Sequence, residues 1–150
     1  MATQNIDVRA TSSAPVQAVW DLLSDVDSWP QWSGVDKAER LAEGDPAPDG
    51  LGSRRLFLTN RVRNEEEVVR FEAPHHLSYE VRGGNLPIRD YHADVTLSET
   101  PEGGTAIEWR STFRAKYPGT GGFVRRKLQQ FIAETAEGLA AHAERGLQAA

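Results

Sequence analysis

Charged residues in the segment 61–73, RVRNEEEVVRFEA, are the part of this sequence whose types and spacing could do chemistry. The segment has the pattern of a β-strand, in which alternate side chains point to the same face. If Phe71 faces the interior and the strand is regular, Glu67 and Arg63 face the interior too. Burying ionised groups without partners is costly, so this strand contains a conflict that the fold must resolve.

The sequence is compatible with three solutions. A bulge could switch faces so that Val68 points inward, the charges could lie at a solvated rim, or Arg63 could pair with a glutamate inside a cavity. The third solution makes a functional site, because an apolar pocket raises the pKa of a carboxyl group and lets it move protons. The catalytic candidates are then Glu67 as proton carrier and Arg63 or Tyr91 to polarise a carbonyl, with Tyr79 or Tyr91 beside Glu67 at the polar end of the pocket.

Other chemistries find little support. The sequence has no cysteine, which excludes thiolate nucleophiles and cysteine metal sites, and no G-x-S-x-G turn for a serine nucleophile. No His-x-His or His-Glu-x-x-His spacing is present, so we predict no metal site and no cofactor. The four histidines are His75, His76, His92 and His142.

Hydrophobic periodicity predicts the elements that position these residues. Residues 5–11 alternate as a first strand, and the capping residues of 12–15 begin a short amphipathic helix. A second short helix is expected within 27–32, after the break at 25–30. Turn signals then separate six further strands, at 33–42, 52–60, 62–73, 76–83, 87–99 and 104–114.

A long amphipathic helix over 123–145 closes the chain. At 1.5 Å per residue it is about 35 Å long, enough to cross a whole sheet. The predicted class is therefore α+β, with a seven-stranded antiparallel sheet, a long C-terminal helix and two short helices between strands 1 and 2.

Three neighbouring strands agree on which face they turn to this helix. Tyr79, Tyr91 and Trp109 lie on that shared face. The face is either solid core or the wall of a pocket with a few polar groups. The residues predicted to contact a ligand are Tyr79, Tyr91, Trp109, Ser111, Phe113, Phe71, Leu128, Phe131 and Thr135. Trp29 and Trp32 flank Pro30 and could lie at an entrance or form an exposed docking patch.

Bulk composition limits the partners. The chain has 150 residues, expected to form one domain over 1–150, with 39% hydrophobic and 26% charged residues, within the globular range. Its net charge of -5 disfavours nucleic acid. Since no run of about 18 apolar residues or N-terminal signal pattern is present, we expect no stable membrane insertion and a cytoplasmic location.

Several segments resemble a known family. VWDLLSDVDSWPQW (19–32), FEAPHHLSYEV (71–81), GGTAIEWRSTF (103–113) and the closing helix are similar to the polyketide cyclase/dehydrase branch of the START-related (SRPBCC) superfamily. The resemblance covers nearly the whole chain, through loose hydrophobic patterns. It implies a helix-grip fold, in which a curved sheet wraps the C-terminal helix, and an apolar cavity between the two. It carries over no catalytic residue.

Two functions are expected to use this cavity. The first is binding of a hydrophobic small molecule, such as a polyketide, an aromatic compound or a lipid-like molecule. The second is a polyketide cyclase, aromatase or dehydratase activity without cofactor, in which polar groups of the pocket assist ring closure. A third hypothesis is regulation of a partner protein by the ligand-bound state.

Overall fold

The computed structural model describes residues 2–149 and has seven strands around a long C-terminal helix. The strands pair only with antiparallel neighbours, in the order β1-β7-β6-β5-β4-β3-β2. This architecture confirms the predicted helix-grip class. The elements are β1 (Thr3–Ser12), α1 (Val16–Ser24), a 3-10 turn (Val26–Ser28), α2 (Trp29–Trp32), β2 (Lys37–Ala42), β3 (Arg54–Thr59), β4 (Val62–Glu72), β5 (His76–Gly84), β6 (Ile88–Glu99), β7 (Thr105–Ala115) and α3 (Gly121–Ala149).

Most predicted bounds hold to within a few residues, and the largest differences have local causes. The strand expected from residue 33 begins only at Lys37. Ser33 instead ends α2, because its backbone N–H donates to the Trp29 carbonyl at 2.9 Å and its hydroxyl donates to the same oxygen at 2.7 Å. The closing helix starts two residues earlier and ends four residues later than the predicted 123–145.

An irregularity in β4 resolves the conflict among its charged residues. The pairing of β4 with β5 shifts between Val68 and Arg70, so that Val68 and Phe71 both point toward the helix side. Val68 is fully buried. With Val68 inward, the alternation brings Glu66 inward as well and turns Glu67 to the opposite face. The bulge is thus the solution that the structure adopts, and the inward placement of Glu67 expected for a regular strand is wrong.

Helix α3 approaches the sheet closely along its C-terminal half. Small side chains there, including Ala136, Ala140 and Ala143, are buried. The Ser12 hydroxyl of β1 donates to the Ala140 carbonyl at 2.8 Å, which ties the two elements together. The N-terminal half carries larger residues such as Leu128 and Phe131, which line open space between the helix and the sheet. The space left between them is the origin of a cavity.

Candidate ligand-binding cavity

A cavity of about 210 Å³ lies between the N-terminal half of α3 and the sheet. Its walls are mainly aromatic and aliphatic, with Asn64 and Glu66 from β4 as polar groups. The lining residues are Trp29, Val35, Phe57, Thr59, Val62, Asn64, Glu66, Tyr79, Val81, Leu86, Ile88, Tyr91, Trp109, Lys127, Leu128, Phe131, Ile132 and Thr135. Val62 and Lys127 are also exposed to solvent, so the cavity opens between α3 and the β3–β4 and β5–β6 loops.

Six of the nine predicted ligand residues line this cavity. They are Tyr79, Tyr91, Trp109, Leu128, Phe131 and Thr135. The other three are placed elsewhere in the interior. Phe71 packs edge-on against Trp20 with ring centroids 5.2 Å apart, Phe113 packs against Tyr91 at 6.2 Å, and Ser111 is buried outside the cavity wall. Ser111 and Phe113 lie on β7, whereas most of the sheet residues that line the cavity lie on β3 to β6.

Trp29 is a wall residue, and neither it nor Trp32 forms a surface patch. The two side chains are 4% and 5% exposed, and their rings lie 4.5 Å apart. Trp29 also contacts Phe57 at 4.8 Å and Trp109 at 6.0 Å. The docking patch considered from the sequence is therefore wrong, because the turn before α2 folds both indoles inward.

Glu66 and Arg55 form the main polar feature beneath the cavity. They are directly opposed on β4 and β3, and both side chains are almost fully buried. Glu66 Oε1 accepts hydrogen bonds from Arg55 Nη2 at 3.1 Å and Nε at 3.3 Å. Glu66 Oε2 accepts one from Asn64 Nδ2 at 2.7 Å. Since a carboxylate oxygen can accept two hydrogen bonds, and residues 2–149 supply one to Oε2, this oxygen can accept another from a ligand.

Aromatic rings enclose the Arg55 guanidinium. Its central carbon lies 5.3 Å from the ring centroids of Trp29 and Phe57 and 5.1 Å from that of Tyr79. The electron-rich ring faces favour a cation at these distances, and they partly replace the water that burial removes. Arg55 is thus fixed behind the cavity wall, where it orients Glu66.

Burial raises the pKa of Glu66 above its ordinary value, while Arg55 and then Asn64 oppose the shift. A raised pKa brings the carboxyl group closer to the range in which it exchanges protons near neutral pH. Burial likewise raises the pKa of Tyr91 to about 12 and that of Tyr79 well above its ordinary value. Both phenols therefore remain protonated at neutral pH and can donate hydrogen bonds.

Asn64 adds a second acceptor at the same end of the cavity. Its Oδ1 atom is buried and has no hydrogen-bond partner within the described part of the chain. A buried oxygen without a partner is unfavourable, and a ligand donor could satisfy it. Glu66 Oε2 and Asn64 Oδ1 together favour a ligand that presents hydroxyl or N–H groups.

The structure does not bring the predicted catalytic residues Glu67 and Arg63 into the cavity. Glu67 faces outward and forms ion pairs with Arg54 at 3.2 Å and Arg82 at 3.6 Å. Arg63 is 58% exposed, and its nearest carboxylate oxygen is that of Glu65 at 3.9 Å. Both were misplaced because the prediction followed the face of Phe71 across the bulge. Tyr91, the third candidate, does line the cavity.

The described residues contain neither a metal-binding cluster nor a membrane-spanning helix. Among residues 2–149, no group of three or more His, Cys, Asp or Glu side chains is arranged to hold a metal ion. No helix in this part of the chain combines the length and the apolar character needed to span a membrane.

A curved antiparallel sheet, a long C-terminal helix and an apolar cavity between them define the helix-grip class. Within that class, a sequence profile described as polyketide cyclase / dehydrase and lipid transport matches residues 3–144. The chain therefore belongs to this family, as its sequence resemblance suggested. None of the curated protein sequences matches it significantly.

Solved structures share the fold at low sequence identity. A START superfamily protein from Mycobacterium smegmatis has a TM-score of 0.81 at 12% identity, covering 94% of this chain and 97% of its own. Ara h 8.0201 has a TM-score of 0.76 at 14% identity, with 95% and 98% covered. XoxI from Bacillus cereus has a TM-score of 0.75 at 14% identity, with 99% of both chains covered. These identities establish a common fold alone.

Proposed function

We propose that this chain binds a small apolar molecule of one or two rings in its cavity, and that Glu66 accepts a hydrogen bond from it. The observation that carries the proposal is a carboxylate oxygen with a free acceptor position in a mainly apolar, largely aromatic space. Apolar walls supply affinity, and a few placed polar groups supply orientation. Membership of a family described by cyclase, dehydrase and lipid transport functions is consistent with this role.

The size of the cavity narrows the class of ligand. Cavities of about 150 Å³ accommodate benzene, and pockets for drug-sized ligands start near 300 Å³. The value of about 210 Å³ lies between them. Of the three ligand classes considered from the sequence, it favours an aromatic or alicyclic ring system over an intact lipid or a long polyketide chain.

Isothermal titration calorimetry with 2-naphthol tests the proposal. This probe has two fused rings and one hydroxyl donor. A ligand of this size is expected to bind with a dissociation constant on the order of 0.1 to 1 mM. The comparison ligand 2-methoxynaphthalene keeps the rings but lacks the donor. We expect it to bind several-fold more weakly, because the second acceptor position of Glu66 Oε2 then stays unfilled.

Three of the four tryptophans provide an internal control for the binding position. Trp29 and Trp109 line the cavity, whereas Trp20 packs away from it against Phe71. We expect 2-naphthol to shift the indole N–H resonances of Trp29 and Trp109 in NMR spectra and to leave that of Trp20 in place. Absence of heat and of these shifts would overturn the proposal.

A matched pair of variants tests whether the cavity itself is the site. Leu128 lines the cavity, and its neighbour Gln129 is exposed on α3. Leu128→Trp should fill the space and weaken 2-naphthol binding at least tenfold. Gln129→Trp adds the same side chain outside and should leave affinity unchanged. Equal binding by both variants would argue against the cavity as the site.

A second candidate function is acid-base catalysis of ring closure, and the raised pKa of Glu66 favours it. In an aldol closure, the carboxylate would remove a proton from a carbon between two carbonyl groups. The resulting carbanion would attack a ketone carbon of the same chain, and the alkoxide formed would take up a proton. With a short poly-β-ketothioester as probe, Glu66→Gln should then abolish turnover and change affinity only slightly. Turnover that survives this substitution would contradict the enzymatic role.

A further inference from the structure

The seam between β5 and β6 is closed along only part of its length. Their register runs from the pair His76 and Thr96 to the pair Glu80 and His92. Beyond that point β5 stays paired with β4, and β6 stays paired with β7. Segments 81–84 and 88–91 therefore diverge and leave a gap within the sheet.

Backbone irregularities on both strands accompany this divergence. The pairing of β6 with β7 shifts between Arg89 and His92, and Asp90 in this bulge has a φ of 54°. On β5, Gly84 has a φ of 117°. Both values lie in the left-handed region, which costs little for glycine and is tolerated by aspartate. The gap is thus built into the local backbone of both strands.

Positive charge predominates around the gap, which has a volume of about 250 Å³. Arg82 is already paired with Glu80 at 2.9 Å. Arg89 and Lys116 form no salt bridge with any residue that the structure describes. The one acidic wall residue, Asp90, is 73% exposed at its side chain and lies 3.8 Å from Arg114. Two cations are therefore available for an anion.

The gap adjoins the apolar cavity. Val81, Leu86, Ile88 and Tyr91 contribute to the walls of both spaces. Glu66 pairs with Val81 across β4 and β5, so only β5 separates the buried carboxylate from the gap. At about 4.8 Å between strands, the backbones of Arg89 on β6 and Lys116 after β7 lie at least about 10 and 14 Å from that of Glu66 on β4. Because all three side chains are long, a two-ring ligand with a polar group at each end has the length to connect Glu66 with these cations.

We propose that the β5–β6 gap is an anion subsite, in which Arg89 and Lys116 bind a carboxylate carried by the ligand of the cavity. The preferred ligand class is then an aromatic hydroxy acid, with its hydroxyl group on Glu66 and its carboxylate in the gap. Charge favours this orientation, because Glu66 repels a carboxylate at its own end of the cavity. The inference rests on the proposed function and extends it to a second site.

Calorimetry with three related probes separates the two proposals. The probes are 2-naphthol, 6-hydroxy-2-naphthoate and the methyl ester of that acid. Because both cations are exposed, we expect the acid to bind three- to tenfold more tightly than its ester at low salt. This preference should decrease as the salt concentration rises.

Paired charge-removing variants assign the effect to the gap. Arg89→Gln/Lys116→Gln should make acid and ester bind equally while leaving ester affinity unchanged. The control Arg9→Gln/Lys37→Gln removes the same charge from β1 and β2, the two edge strands, and should keep the preference. Circular dichroism and urea unfolding check that both proteins are folded.

Three outcomes would overturn the subsite, its assignment to Arg89 and Lys116, or the proposed function. Equal binding of acid and ester to the unmodified protein, with 2-naphthol still bound, would overturn the subsite and leave the proposed function standing. A preference that persists in Arg89→Gln/Lys116→Gln would overturn the assignment to these residues. If none of the three probes binds, the proposed function fails and the subsite fails with it.

Discussion

Arg55 and Glu66 face each other across β3 and β4, and their side chains, 2% and 7% exposed, meet in the interior with 3.1 Å between Nη2 and Oε1. Burying an ion pair costs free energy because both charges lose their hydration. Only close contacts within the protein offset that cost. Here the rings around Arg55 and the amide of Asn64 supply those contacts. We therefore expect the two charges to contribute to stability only as a pair, and Glu66 also lines the cavity.

Removing one partner of this pair is expected to cost more than removing both. Arg55→Met leaves an unpaired buried carboxylate and should lower the free energy of unfolding by about 3–5 kcal/mol. The double variant Arg55→Met/Glu66→Leu removes both charges and should be more stable than Arg55→Met. Urea unfolding at pH 7 measures the free energy of unfolding of both variants. If Arg55→Met does not fold and the double variant does, that result also supports the prediction.

The exposed pair Arg110 and Glu108 on β7 is the control, with 2.9 Å between Nε and Oε1. Solvent screens this pair, so its double-mutant coupling should be much smaller than that of Arg55 and Glu66. Strictly additive losses at Arg55 and Glu66 would contradict the interpretation of the buried pair as a unit.

The raised pKa of Glu66 predicts a pH dependence of stability. The folded state holds the Glu66 proton more tightly than the unfolded chain, whose value is 4.5. Its contribution is therefore fully present below pH 4.5 and is lost as the pH rises through the folded-state pKa. The unfolding free energy of the unmodified protein, minus that of Glu66→Gln, should fall as the pH increases over this range.

Urea unfolding of both proteins at several pH values checks this prediction. Carboxyl groups with lowered pKa values, such as Asp94 and Glu80, act in the opposite direction. They are present in both proteins, so their effect cancels in the difference. A difference that stays constant with pH would show that Glu66 has no raised pKa.

The sequence predicted the sheet well because the alternation in its last two strands is unambiguous. In β7, Ile107, Trp109, Ser111 and Phe113 are buried and the residues that alternate with them are not. The same alternation correctly placed Tyr79 and Tyr91 on the cavity side. Periodicity therefore located most of the aromatic wall.

The charged end of the site was missed for a physical reason. Val68 and Val69 are both apolar, so either could face inward, and the position of the bulge decides between them. Tertiary pairing with β5 sets that position, and the sequence of β4 alone does not. One signal was available, since alternation with Phe57 in the predicted strand 52–60 places Arg55 inward. A buried arginine requires a partner, and with Val68 inward that partner is Glu66.

The hydroxyl groups of Tyr79 and Tyr91 differ in whether they accept a hydrogen bond from the Trp109 indole. The Tyr79 hydroxyl accepts the hydrogen bond of the buried Trp109 indole at 3.1 Å. Tyr79→Phe leaves this N–H without a partner and should lower the free energy of unfolding by about 1–3 kcal/mol. Tyr91→Phe removes the same atom but keeps that bond, so its loss should be smaller. Urea unfolding compares the two, and an equal loss would contradict the structural role of the Tyr79 hydroxyl.

Gly138 and Gly146 on α3 give opposite predictions for the same substitution. A Cβ atom at Gly138 would overlap the carbonyl oxygen of Trp32, whereas a Cβ atom at Gly146 would have no described atom within 4 Å apart from its flanking residues and the adjacent backbone of α3. Gly138→Ala should therefore push α3 away from α2 and destabilise the protein by about 1–3 kcal/mol. Gly146→Ala should stabilise it by up to about 1 kcal/mol, because alanine favours a helix over glycine. Since α2 also carries Trp29, Gly138→Ala should weaken 2-naphthol binding as well. Urea unfolding and calorimetry measure both effects, and similar results for the two alanines would mean that α3 does not rest on α2 as described.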